Sequence, residues 1–117
     1  MNTASPAPYA WITEALYLGR TTFATRADAE RVARVLVEEN LAACAQHGGT
    51  IRSIYRWEVK LCEEDEFPLT LKFMGARGDA LEQRLRALHP YSTPQWYAVR
   101  AERTASDYLA WAQGQAG

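Results

Sequence analysis

Four side chains have the donor chemistry of a transition-metal site: Cys44, Cys62, His47 and His89. A thiolate is a soft ligand suited to Cu(I), and a neutral imidazole ligates copper or zinc. Cys44 ends an apolar helical stretch as the chain enters a strand. Its ordinary role there is that of a small buried hydrophobe, with copper ligation as the sharper alternative. His89 precedes Pro90 at a helix end, where a charged imidazole favours the helix dipole by about 0.3–1 kcal/mol. His47 stands in a glycine-rich turn at Cys-x-x-His spacing from Cys44, and two donors alone make a weak site. Cys62 reads as an incidental surface thiol. There is no C-x-x-C and no His-x-x-x-His, so neither a disulfide framework nor a structural zinc site is indicated.

Nucleophilic catalysis would need one of these thiols beside a positioned base, and neither histidine makes a recognised dyad. No phosphate loop, Walker motif or zincin helix is present, so the chain reads as non-enzymatic. The acidic run at 63–66 resembles a cation site on paper. A hard cation needs about six oxygens in a defined cage, and a contiguous run at a hairpin tip reads as a solvated turn. Arg52 and Arg56 share one strand face and are expected to meet carboxylates across a sheet or an interface.

The elements that must position these groups follow from periodicity. Residues 16–24 read as a strand that Gly19 and Arg20 weaken. Thr25 is an N-cap with Asp28 three residues on, and Ala29, Val32, Ala33, Leu36 and Leu41 continue at helical spacing, giving a helix over 26–42. After a short apolar stretch and Gly48-Gly49, residues 51–59 alternate with period two. Glu63-Glu64-Asp65-Glu66 is then the expected turn, and 67–74 alternates again, with Pro68 marking an edge or a strand start. Asp79 and Glu82 open a second helix with Leu81, Leu85 and Leu88 on its apolar stripe, ended by Pro90. A strand at 96–101 and a terminal helix from Ser106 or Asp107 complete the order βαββαβα. This is the α+β, ferredoxin-like split βαβ sandwich, with two helices on one face of an antiparallel sheet and an added C-terminal helix. Residues 1–11 read as a flexible leader and 12–117 as a single domain, with fraying over the last few residues.

The 117 residues suit one domain, and 48% hydrophobic with 23% charged residues is a globular composition. The net charge of -1 argues against a nucleic-acid or polybasic membrane binder. The longest apolar runs are too short to span a bilayer, and no signal peptide is apparent, so membrane insertion is not expected. Two lone thiols fit a reducing, cytoplasmic setting. The βαββαβ order is also that of RNA-recognition modules, but the third strand reads Leu69-Thr70-Leu71-Lys72-Phe73-Met74-Gly75, without their basic-glycine-aromatic signature. Four tryptophans, six tyrosines and three phenylalanines are more rings than a small subunit easily hides, which favours an oligomer.

Four separated strings stand in register: Leu41-Ala42-Ala43-Cys44, Ser53-Ile54-Tyr55-Arg56-Trp57-Glu58, His89-Pro90-Tyr91 with Pro94, and Tyr108-Leu109-Ala110-Trp111. Over about residues 20–112 the chain resembles the CutA family of divalent-cation-tolerance proteins. The resemblance implies a ferredoxin-like subunit in a tight homotrimer, its long hairpin packing on neighbouring subunits. It also implies a fold like that of the P-II signalling proteins and a role in copper and divalent-cation tolerance. It keeps open Cys44 as a copper ligand; if copper binds, Cys44 is the expected soft ligand and His89 the second candidate. Tyr55, Trp57, Tyr91 and Trp96 read first as core and subunit packing; the functional alternative is an inter-subunit cleft in which Tyr55, Trp57, Lys72 and Tyr91 line a pocket for a small anionic ligand. The alternative role is that of a P-II-like small-molecule sensor or scaffold with no metal.

The chain also departs from the family's pattern. The thiol that commonly ends the first strand is absent from Thr22-Phe23-Ala24-Thr25-Arg26. The family's Trp-Glu-Gly-Lys becomes Trp57-Glu58-Val59-Lys60, and its Lys-Thr-Thr becomes Lys72-Phe73-Met74. The acidic residue after His-Pro-Tyr-x-x-Pro is Gln95. A soft thiol and a carboxylate are thereby lost from the donors a metal would use.

Overall fold

In a computed structural model, which describes residues 10–115, the chain builds an antiparallel sheet whose strands share one long member. Strand β1 is Leu16–Phe23, helix α1 is Arg26–Glu38, and β2 is Cys44–His47. Strand β3 is Ile51–Trp57, and β4 is Lys60–Met74. One turn of 3-10 helix at Gly75–Arg77 leads into α2, Gly78–Leu88, followed by β5, Tyr97–Arg100, and α3, Ser106–Gln115. The sheet order is β2-β4-β1-β5, and β3 pairs with the outer part of β4. The expected α+β ferredoxin-like class is thus the observed one, with one short strand, β2, beyond the expected order.

Alternation along β1 and β4 sends Tyr17, Phe23, Leu69, Leu71 and Phe73 to one face, where α1 and α2 cover them. Ala29, Val32, Ala33 and Leu36 of α1 and Leu81 and Leu85 of α2 are buried against them. Leu16 and Met74, opposite each other in the register, face the other way and are covered by Leu109 and Ala112 of α3. Gly19 serves the core: a Cβ there would stand 2.4 Å from the Trp96 indole, which occupies that space.

The helix ends obey local chemistry. The Thr25 hydroxyl accepts the Asp28 amide at 3.1 Å, which caps α1 and is worth about 1 kcal/mol. The Asp28 carboxylate does not reach back to the cap; it accepts from Arg31 instead. The helix stops at Glu38 rather than continuing to 42, because Asn40 adopts φ 60°. The Asn40 amide bonds to the Val37 carbonyl and the Leu41 amide to the Leu36 carbonyl, a Schellman closure. In α2, Asp79 and Glu82 do not cap the helix; they accept the indole N–H groups of Trp11 and Trp96 at 2.9 and 3.0 Å.

Trp11, assigned to the leader from sequence, belongs to the fold. Its ring stands edge-on to Tyr17 and Phe73 at 4.8 and 5.5 Å, over Gly78, where a Cβ would approach to 2.2 Å. The rest of the leader, residues 1–9, lies outside the described residues. At the other end α3 is regular through Gln115.

The hairpin turns five residues earlier than its acidic run suggests. Glu58 and Val59 carry positive φ of 50° and 61° and join Trp57 to Lys60, the geometry of a two-residue hairpin turn. The run Glu63–Glu66 lies inside β4, paired with Ile51–Ile54 in reverse order. Its charges are neutralised by neighbours rather than by solvent alone: Arg52 bonds Glu63 at 3.2 Å and Asp65 at 2.9 Å. Pro68 sits mid-strand, where residues 48–50 stand opposite only 67 and 68. This bulge breaks the ladder on one side of β4 and accommodates a residue with no N–H to donate.

Val59 is 88% exposed, and a β-branched residue at positive φ is strained by about 1–2 kcal/mol. Glycine stands at this place in the family's pattern. Val59→Gly is expected to stabilise the protein by about 1 kcal/mol, read as a raised Tm. An unchanged or lowered Tm would show that the tip's side chain is engaged in the assembled protein.

Candidate ligand cleft

Where β4 leaves the main sheet, three segments converge: the β3–β4 ribbon, the end of β1, and the loop after α2. The loop is held by one imidazole. His89 is buried and stacks on Phe23 with ring centroids 4.3 Å apart. Its Nε2 lies 2.9 Å from the Thr22 carbonyl and 3.1 Å from the Thr21 hydroxyl. Its Nδ1 accepts the Tyr91 amide at 3.2 Å. A bond donated to a carbonyl at one nitrogen and accepted from an amide at the other defines the neutral Nε2–H tautomer. Both ring nitrogens are therefore in use. Burial lowers the pKa of His89, against smaller raising influences from the Thr22 carbonyl and Asp28.

The loop pinned this way faces the ribbon across a cleft of about 740 Å³. Tyr55, Trp57 and Tyr91 line it together with Thr22, Glu64 and Glu66. Register explains the arrangement: Ser53 pairs with Glu64, Tyr55 with Cys62 and Trp57 with Lys60, so these side chains share one ribbon face. The Tyr55 hydroxyl donates to Glu64 at 2.5 Å. That bond, then desolvation and the nearby negative charge of Glu64, pushes the phenol pKa up to about 12. The Thr22 hydroxyl donates to Glu66 at 3.0 Å. Burial, then Glu66 and Glu64, raises the phenol of Tyr91 as well.

Of the four expected cleft residues, three converge. Within the single chain Lys72 stands away from these rings. Alternation puts it on the same face of β4 as Glu66 but six residues along, roughly 20 Å away. There it pairs in register with Leu18 and Cys44, and its ammonium lies 5.7 Å from the Tyr108 ring. The two expected metal ligands have different surroundings within the chain. Cys44 is half-buried on β2, while His89 is enclosed by Phe23, Thr21, Thr22 and Tyr91. Among the described residues no three His, Cys, Asp or Glu side chains gather closely enough to hold a metal ion. The donors of one subunit thus do not fit copper by themselves. Sequence reasoning missed Glu64, Glu66 and Thr22. Carrying the period-two alternation of 67–74 back through the acidic run would have placed both glutamates on the face of Tyr55.

A ferredoxin-like sheet carrying an overlong hairpin, with a cleft at its root closed by a His-Pro-Tyr loop, defines a small α+β protein of ferredoxin-like fold. Comparison with known proteins specifies it further. The profile of the "CutA1 divalent ion tolerance protein" family matches residues 17–115. The "Divalent-cation tolerance protein CutA" of Thermus thermophilus is 36% identical over 89 residues, covering 76% of this chain and 86% of that one. The crystal structure of CutA from Xylella fastidiosa superposes with a TM-score of 0.85 at 35% identity, covering 88% of this chain and 99% of the other. A structure described as the "Periplasmic divalent cation tolerance protein CutA" of Archaeoglobus fulgidus gives a TM-score of 0.83 at 28% identity, covering 87% and 99%. The chain belongs to the CutA1 divalent ion tolerance family.

The His89 contacts have a pH signature. Its folded pKa lies below the ordinary 6.5, so the unfolded chain takes up the proton first as pH falls. The stabilisation is complete above that value and is lost as pH drops through it toward the folded pKa. Wild-type Tm is expected to fall between about pH 7.5 and about pH 5.5. His89→Gln should flatten this slope and lower stability at the upper pH by about 1–3 kcal/mol. Equal slopes in the two proteins would remove His89 from the account.

Proposed function

We propose that this protein serves divalent-cation tolerance as a non-enzymatic homotrimer, with the cleft beneath the hairpin as a small-ligand site at the subunit boundary. The observation that carries the assembly is the hairpin's exposed apolar surface. Ile54, Leu61 and Val59 are 63%, 71% and 88% exposed. A two-stranded ribbon of this kind is marginal alone, and so large an apolar patch marks a contact surface. The threefold number comes from the family resemblance. Support for a non-enzymatic role comes from the histidine chemistry: His89 is committed to Thr22 and Tyr91 and is no base for either thiol.

A copper role rests on Cys44, with further donors supplied across a subunit boundary. His89 would have to leave two hydrogen bonds to serve, so its proposed role is to hold the loop. The alternative, a P-II-like sensor with no metal, is favoured by the contrast between a roomy cleft and the lack of any three-donor cluster among the described residues. A cytoplasmic setting is supported by two free cysteines, although the Archaeoglobus relative is described as periplasmic. No helix among the described residues is long and apolar enough to cross a membrane.

Native mass spectrometry with and without copper tests these readings together. The expected species is a trimer in wild type and in Cys44→Ala, with stoichiometric copper uptake in the wild type alone. A monomer would sink the assembly. A trimer indifferent to copper would decide for the metal-free sensor.

A further inference from the structure

We propose that the cleft takes a small organic cation, a guanidinium or primary alkylammonium group on a short apolar stem, and not the anion suggested by the sequence. This rests on the reading of the cleft as the ligand site and assigns its chemistry. Among the described residues of the chain, the only charged side chains lining the cleft are Glu64 and Glu66. The lysine expected to supply positive charge lies roughly 20 Å along β4, beside Tyr108. The nearest arginine of the ribbon, Arg52, is held on the opposite ribbon face by Glu63 and Asp65.

Glu66 carries most of the argument. It is only 8% exposed. One oxygen accepts from Thr22, and no lysine or arginine among the described residues forms an ion pair with it. A buried carboxylate with a single neutral donor is poorly compensated, and a cation arriving with N–H groups would complete it. Glu64 uses one oxygen for the Tyr55 hydroxyl and has a second for another donor. Around these two carboxylates stand the rings of Tyr55, Trp57 and Tyr91. Aromatic faces attract organic cations and pack on apolar stems. They offer no oxygen cage to an inorganic dication, which needs six or so hard ligands.

Isothermal titration calorimetry with butylguanidinium chloride and with potassium pentanoate, on protein whose assembly is checked by native mass spectrometry, tests this directly. Butylguanidinium is expected to bind saturably, one per subunit, and pentanoate not at all. Glu66→Gln, which keeps size and acceptor oxygen, should weaken binding by about tenfold or more. The exposed Glu64→Gln gives the same direction with a smaller loss and stands in if Glu66→Gln misfolds. Pentanoate binding as well as or better than the cation overturns the charge assignment while leaving the cleft as a site. An intact trimer that binds neither probe overturns both, and would show the cleft filled by a neighbouring subunit.

Discussion

Strand β4 is longer than the sheet it belongs to, and most of the structure follows from that mismatch. Its fifteen residues reach about 50 Å, yet β1 pairs with it only from Phe67 to Met74 and β2 only from Leu69 to Lys72. The remaining stretch has one partner, β3, and projects as a ribbon. Within the sheet, β4 contributes Leu69, Leu71 and Phe73 to a core sealed by two helices. Beyond it, the same strand has no layer to pack against. Apolar residues on the ribbon, Ile54, Leu61 and Val59 among them, are left exposed, because a bare two-stranded ribbon cannot bury them itself. The bulge opposite Pro68 marks the changeover. Just beyond it, Glu64 and Glu66 face the cleft at the root of the ribbon.

That root is organised by a neutral imidazole. His89 ties the loop after α2 to the end of β1 and stacks on Phe23, so the position of Tyr91 is set by backbone contacts rather than by loop chance. Neutrality is the condition for this. A protonated ring could not accept the Tyr91 amide, and a metal-bound ring would have to give up one of its two bonds. The same residue type at a helix end could have been a dipole partner or a ligand. What decides is the environment, an apolar ring on one face and a carbonyl in line with Nε2, and neither is visible in the local sequence.

The elements written as side-chain periodicity were legible. The stripe of Ala29, Val32, Ala33 and Leu36 gave α1, Leu81 and Leu85 gave α2, and alternation gave all of β3 and the inner half of β4. The features that escaped depend on backbone conformation or on distant partners. Helix α1 ends at Asn40 because asparagine tolerates a left-handed backbone, although apolar residues continue in helical phase beyond it. The acidic run looked like a turn because four carboxylates in sequence repel in isolation. Within the ladder they lie across from Ile51–Ile54 and accept hydrogen bonds from Arg52, Tyr55 and Thr22, and the turn falls instead at Glu58 and Val59, two residues with no turn propensity. Asp79 and Glu82 matched a helix-start pattern, but they serve as acceptors for two indoles brought from Trp11 and Trp96.

The expected cleft residues divide along the same line. Tyr55, Trp57 and Tyr91 were identified by type, and the fold brings them together. Lys72 was chosen for charge on a face that alternation specified correctly, but a face has length as well as side. One end of this face carries Cys44 and Lys72 beside α3; the other carries Thr22, Glu64 and Glu66 beneath the ribbon. Roughly 20 Å of strand separates the two ends, so the soft donor and the aromatic cleft are chemically independent within a subunit. A thiol-directed metal and a cleft-directed ligand could then be gained or lost separately in evolution. The two family donors missing here fall at the cleft end, where Thr22 and Gln95 line the pocket, so their loss alters the chemistry of the cleft and leaves Cys44 in place.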